Sequence, residues 1–201
     1  MMATTHALAG TLLAGVSFVV APGFAPVALL AGFAGGLAPD LDLYFAHRKT
    51  LHFPVYLPVA TLPALVAAVL APSTVTVGLV AFLAAAALHS VTDVLGGGLE
   101  LRPWEATSDR AVYSHYHGRW LAPKRLVEYD GAPADLGLAA TLALPVFAVD
   151  VGGPLESLVV ASLLVSTGYA LVRKHLPNLA EDLVGTLVPA PVLPYVPDRY
   201  R

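Results

Sequence analysis

Residues 74–95 read TVTVGLVAFLAAAALHSVTDVL. The run carries no Lys or Arg and a single carboxylate, and it reaches the roughly 20 residues a helix needs to cross a hydrocarbon core. Its apolar residues follow one another without the strict polar alternation of a barrel strand, so a membrane helix is expected rather than a barrel. The polar groups stand near one end. His89 and Asp93 lie four residues apart, which puts both on one helix face. Ionisable groups inside such a segment are costly and usually face a bundle interior, where a partner satisfies them.

Composition agrees with a membrane setting. Of the 201 residues, 57% are hydrophobic and 12% are charged, with a mean hydropathy of +0.71. Soluble domains carry about 25% charged residues, so the surplus apolar surface calls for lipid. A net charge of −3 gives no reason to expect a nucleic-acid partner. The chain has no Cys, which excludes disulfides and thiolate metal sites. Gly and Pro number 17 each, easier to place in membrane helices than in soluble ones. The start of the chain lacks the basic flank of a signal peptide, so the first apolar run is read as mature structure.

Five more apolar segments can be marked, at 5–20, 26–37, 53–71, 134–149 and 154–172. By length, 53–71, 74–95 and 154–172 are expected to span. Segments 5–20, 26–37 and 134–149 are short, and the first two read as a hairpin that crosses only part of the bilayer. The expected fold is all-α: a polytopic membrane helical bundle over residues 1–175, including a polar loop at 96–133, then a Pro-rich interfacial tail at 176–201. No internal repeat or second domain stands out. All 11 Lys and Arg fall in 39–53, in 96–133, or from Arg173 onward, while the connections at 21–25, 72–73 and 150–153 hold none. The positive-inside rule then places both termini and both polar loops in the cytoplasm, with the lipid bilayer as partner. Tyr113, Tyr116 and Trp120 fit an aromatic belt, and Lys124 and Arg125 fit headgroup anchors.

On this topology the polar residues gather. GGLAPDLDLYFAHRKTLHFP, residues 35–54, packs Asp40, Asp42, His47, Arg48, Lys49 and His52 between two apolar runs. His6 begins the first segment, and His89 and Asp93 end the fourth. Six candidate metal ligands, His6, Asp40, Asp42, His52, His89 and Asp93, are thus expected at one membrane face. Imidazole and carboxylate without thiol suit Zn, Mn, Mg or Fe. Six ligands exceed the need of one catalytic zinc, so two ions bridged by Asp40 or Asp42 are plausible, as in phosphoester-cleaving sites. Arg48 reads as a phosphate clamp or as a positive-inside anchor. Asp42 or Asp93, if not consumed by ligation, could serve as general base. The candidate catalytic set is therefore Asp40, Asp42, Arg48 and Asp93. His47 reads as a ligand or a loop neighbour of Arg48, and His115 and His117 as a second metal pair or a solvated loop. Gly96, Gly97 and Gly98 read as a flexible helix end rather than a phosphate cradle.

Four motifs, TTHALAG, GGLAPDLD, HRKTLH and HSVTD, resemble in order and spacing the YdjM-like, LexA-binding family of inner-membrane metal-dependent hydrolases. The resemblance covers about residues 1–105. It implies a polytopic helical membrane protein with a metal site at His6, Asp40, Asp42, His52, His89 and Asp93, and it implies hydrolysis without naming a substrate. The family's Thr-His-Ser stands here as Leu51, His52 and Phe53. The site's depth near the headgroups adds an amphiphilic substrate with a phosphoester or other ester bond: a phospholipid, a lipid phosphate or a prenyl diphosphate. The expected cofactor is a divalent metal (Zn, Mn or Mg), with two ions as an option. The rival function is a non-catalytic metal-binding membrane protein, a regulator or scaffold working through loop 96–133, which leaves a protein partner open. A path for ions is disfavoured by the apolar opposite half of the segments.

Overall fold

The computed structural model describes residues 1–149, 151 and 153–196. Asp150 and Gly152, in the connection at 150–153, and the tail residues 197–201 lie outside the described residues. The chain is mostly helical: α1 (Ala3–Ala14), α2 (Ser17–Val20), α3 (Ala25–Leu37), α4 (Tyr56–Leu70), α5 (Thr74–Thr92), α6 (Pro133–Ala148), α7 (Gly153–Val172) and α8 (Leu176–Leu187). The exception to an all-α fold lies in the polar loop, where β1 (Val112–Ser114) and β2 (Arg119–Leu121) form an antiparallel hairpin. Tyr113 sits opposite Trp120 with ring centroids 5.4 Å apart, and Gly118 takes the turn at φ 64°.

Four stretches are long and apolar enough to cross a membrane: Ala3–Val20, Pro22–Leu43, Thr74–Leu95 and Gly153–Val172. The first two segments are therefore longer than their apolar runs suggest. α2 continues α1, and a 3-10 turn at Ala38–Tyr44 extends α3. The third segment is shorter than expected, because Pro54 disfavours helix at Phe53 and α4 starts only at Tyr56. The fifth, Pro133–Ala148, is short as read from the sequence.

α1 packs on α3 and α5, α3 on α5, and α4 on α5, with α6 and α7 also against α1. α1 and α3 run antiparallel along small residues, with Gly10 beside Gly32 and His6 beside Gly36. A Cβ at Gly10 would strike the Gly32 carbonyl, and one at Gly36 would strike the His6 carbonyl. Gly35 meets the backbone of Phe82 on α5 in the same way. Close backbone approach of this kind is how helices associate where lipid removes the hydrophobic drive between them. α5 starts in a capping box, Ser73 Oγ accepting from the Thr76 amide at 3.1 Å and Thr76 Oγ1 accepting from the Ser73 amide at 2.9 Å. This arrangement brings the start of α1, the ends of α3 and α5, and the loop before α4 to one end of the bundle.

Candidate metal centre

Two histidines define the centre through the protons they must carry. His89 Nδ1 lies 2.6 Å from the Gly36 carbonyl oxygen. A carbonyl only accepts, so Nδ1 holds the proton and the neutral ring presents a lone pair at Nε2. His52 Nδ1 lies 3.0 Å from Asp42 Oδ2, which also accepts the Leu51 amide at 3.1 Å. In its neutral form His52 therefore turns Nε2 inward as well. The two Nε2 atoms are 3.2 Å apart. Two nitrogens so close are joined by a shared proton or by a metal cation.

Two carboxylates complete the set. Asp93 Oδ2 lies 3.1 Å from His52 Nε2 and 3.6 Å from His89 Nε2, and it is buried without a hydrogen bond. Asp40 Oδ1 lies 3.8 Å and 3.5 Å from the same two nitrogens. The four donor atoms all fall within 4.8 Å of one another. Donors about 2.1 Å from a tetrahedral ion sit roughly 3.4 Å apart, so the spacing fits one metal ion. The group of Asp40, His52, His89 and Asp93 could hold such an ion.

The sequence groups Asp42 and His6 with the ligands, and the structure sets each one step behind. Asp42 is buried, and its Oδ1 accepts from His47 Nδ1 at 2.9 Å and the Arg48 amide at 3.2 Å. The partners of its carboxylate all lie in the 47–52 loop, so it orients His52. Such outer partners orient the ligands they touch. His6 Nε2 faces the other oxygen of Asp93, Oδ1, at 3.0 Å, and its ring stacks on His89 with centroids 3.8 Å apart. It holds Asp93 so that Oδ2 turns inward. His47 is committed to Asp42. His115 Nε2 donates to the Lys49 carbonyl at 2.7 Å, and His117 Nδ1 is 2.8 Å from Ser114 Oγ, so these two serve the hairpin rather than a second metal pair.

Arg48 ties the centre to the polar loop. Its backbone sits at φ 59°, a strained position for a side chain. The Arg48 carbonyl accepts the Tyr113 amide at 2.9 Å, which helps hold that shape. Nη1 donates to the Gly97 carbonyl at 2.8 Å, and Nε lies 3.5 Å from Asp93 Oδ2. Burial works against the guanidinium charge, but Asp93, Asp130, Asp40 and Glu100 outweigh it and raise its pKa. His52 is likewise opposed by burial, yet its hydrogen bond to Asp42 and the facing Asp93 carboxylate lift its pKa above the usual histidine value. The centre favours positive charge. The three glycines are crowded rather than flexible: a Cβ at Gly97 would stand 2.6 Å from the Glu128 carbonyl.

A cavity of about 630 Å³ opens on this centre. Asp40, His47 and Arg48 line its polar end, while Leu41, Leu43, Val165 and Leu176 are among the apolar walls. Glu100, Asp130, Tyr169 and Arg173 also line it, and sequence motifs point to none of them as site residues. Arg173 donates to Asp130 from Nε at 3.0 Å and Nη2 at 3.1 Å, and Tyr169 donates its hydroxyl to the same carboxylate. Their one sequence signal is the four-residue spacing of Tyr169, near the end of α7, and Arg173, just past it. α8 forms part of the cavity wall through Leu176, Pro177 and Ala180. Arg102 clamps it with bonds of 2.7 Å and 2.6 Å to Glu181.

Fold and site together define a mostly helical chain with four membrane-length helices and a His/Asp group fit for a metal ion. No family model, no curated protein and no solved structure matches the chain. The likeness to the YdjM-like hydrolases therefore rests on the four motifs alone.

Proposed function

We propose that this protein is a multi-pass protein of the cytoplasmic membrane that hydrolyses an ester, foremost a phosphoester, of an amphiphilic substrate with one divalent ion. The observation that carries the reading is the pair of buried Nε2 atoms 3.2 Å apart, grouped with Asp93 and with Asp40, which lines a largely apolar cavity. His52, His89 and Asp93 would hold the ion. When bound, it supplies Lewis acidity and lowers the pKa of water to about 7. Asp40, on the cavity side with 21% side-chain exposure, closes the ligand group and is placed to take the proton of the attacking water. Arg48 lines the cavity beside it and offers charge to a phosphoryl oxygen. The apolar walls accept the substrate's chain. A cavity at the metal favours catalysis over a purely structural ion, which needs no such space.

The segregation of Lys and Arg supports a topology with both termini and both polar loops in the cytoplasm. The open apolar faces of the helices support lipid around them. The test is Asp40→Asn in metal-loaded protein, assayed against a panel of lipid phosphates and phosphodiesters. Wild type should turn over at least one class, and the variant should lose at least 100-fold in rate, about 2.7 kcal/mol of barrier, with little change in melting temperature. Full activity in the variant, or no turnover of any ester by metal-loaded wild type, would overturn the reading.

A further inference from the structure

One charged side chain on the cavity wall makes no hydrogen bond among the described residues. Asp40 meets His52 and His89, His47 meets Asp42, Arg48 meets Gly97 and Asp93, and Arg173 meets Asp130. Glu100 also lines the cavity, and both its carboxylate oxygens are buried with no hydrogen-bond partner among the described residues. The chain makes room for this carboxylate, since a Cβ on Gly98 would collide with it. It stands three residues beyond Gly97, whose carbonyl holds Arg48, so its Cα lies within roughly 10 Å of that anchor. A carboxylate buried without a partner is costly. Arg48 feels the Glu100 charge at longer range, but its hydrogen bond goes to the Gly97 carbonyl and its ion pair to Asp93.

We propose that Glu100 receives an ammonium group of the substrate, so that the cavity takes a zwitterionic amphiphile: an apolar chain, a phosphoester and an amine. This rests on the hydrolase reading for the place of the phosphoester. Arg48 and the metal group meet the phosphoester, Glu100 meets the amine, and the leucine-rich wall meets the chain. The same carboxylate disfavours a headgroup that is anionic throughout.

The experiment measures binding alone, so a failure of hydrolysis leaves it readable. Metal-stripped protein in maltoside micelles is titrated with lysophosphatidylethanolamine and with lysophosphatidylglycerol, and occupancy is read by native mass spectrometry. Wild type should bind the ethanolamine lipid at least tenfold more tightly, a charge-assisted hydrogen bond being worth about that factor or more. Glu100→Gln should erase the preference while leaving metal uptake intact, and Glu100→Asp should keep part of it. If Glu100 only balances the charge of Arg48, wild type will show no headgroup preference, or the preference will persist in Glu100→Gln. Either result overturns the proposal, and the wild-type comparison decides the matter if Glu100→Gln does not fold.

Discussion

The two ends of the helix bundle bury different things. At one end His6, Asp42, His52, His89 and Asp93 are all buried, and hydrogen bonds or short ion-pair distances join them. At the other end the chain leaves apolar side chains open: Val19 is 83% exposed, Leu70 78% and Val75 75%. The connection at 72–73 and the turn at 21–25 carry no Lys or Arg. A polar group left unsatisfied in the interior costs about 1–3 kcal/mol, so polar burial survives only where several elements meet to satisfy it. The contrast follows from that rule and, under the proposed topology, from lipid in place of water around the apolar end.

The largest effect should come from a charge on the open apolar face. Leu164, midway along α7, is 69% exposed. With lipid around it, Leu164→Arg should raise the apparent insertion free energy of α7 by roughly 2.5–3.5 kcal/mol. A surface facing water would absorb the change within about 0.5 kcal/mol, and a value that small would break the comparison. A smaller effect is expected at the polar end. Asp42→Asn leaves one acceptor oxygen where a carboxylate takes four donors, so the aim of His52 loosens. Metal affinity should fall about 10- to 100-fold at unchanged helix content, and calorimetric titration showing wild-type affinity would place Asp42 outside the centre's support.

The smallest effect concerns α8. Arg102 lowers the Glu181 pKa by a direct hydrogen bond at an exposed site. A depressed carboxylate adds stability that is present above its unfolded pKa and lost as pH falls through the folded one. Glu181→Gln should therefore speed hydrogen exchange in residues 176–187 slightly at neutral pH. The gap to wild type should close as the solution is acidified below the ordinary glutamate range, and should shrink in high salt. A gap that widens on acidification would remove this clamp from the polar end.

Much of the polar end is legible in the sequence. His89 and Asp93 announce themselves because a turn-spaced ionisable pair in an apolar run has to face a partner inside the bundle. The pair Asp40 and Asp42 is legible as a group but not as roles. With three residues per turn in the 3-10 segment Ala38–Tyr44, side chains two apart point well away from each other. One carboxylate turns to the cavity and the other back to the 47–52 loop. The hairpin at 112–121 had a readable signal in its β-branched and aromatic residues around Gly118, outweighed by the helical character of the chain. The cavity was not legible, because its walls come from α3, the polar loop, α7 and α8, and no local spacing encodes their meeting.

Metal stoichiometry tests the centre most directly. Wild-type protein and His89→Ala, each matched for helix content by circular dichroism, are stripped, reloaded with Zn, Mn or Mg, desalted and analysed for bound metal. If His52, His89, Asp93 and Asp40 hold one ion, wild type retains one equivalent of at least one metal and His89→Ala retains almost none. Wild type that retains no metal, or a variant that retains as much as wild type, would contradict the centre as drawn.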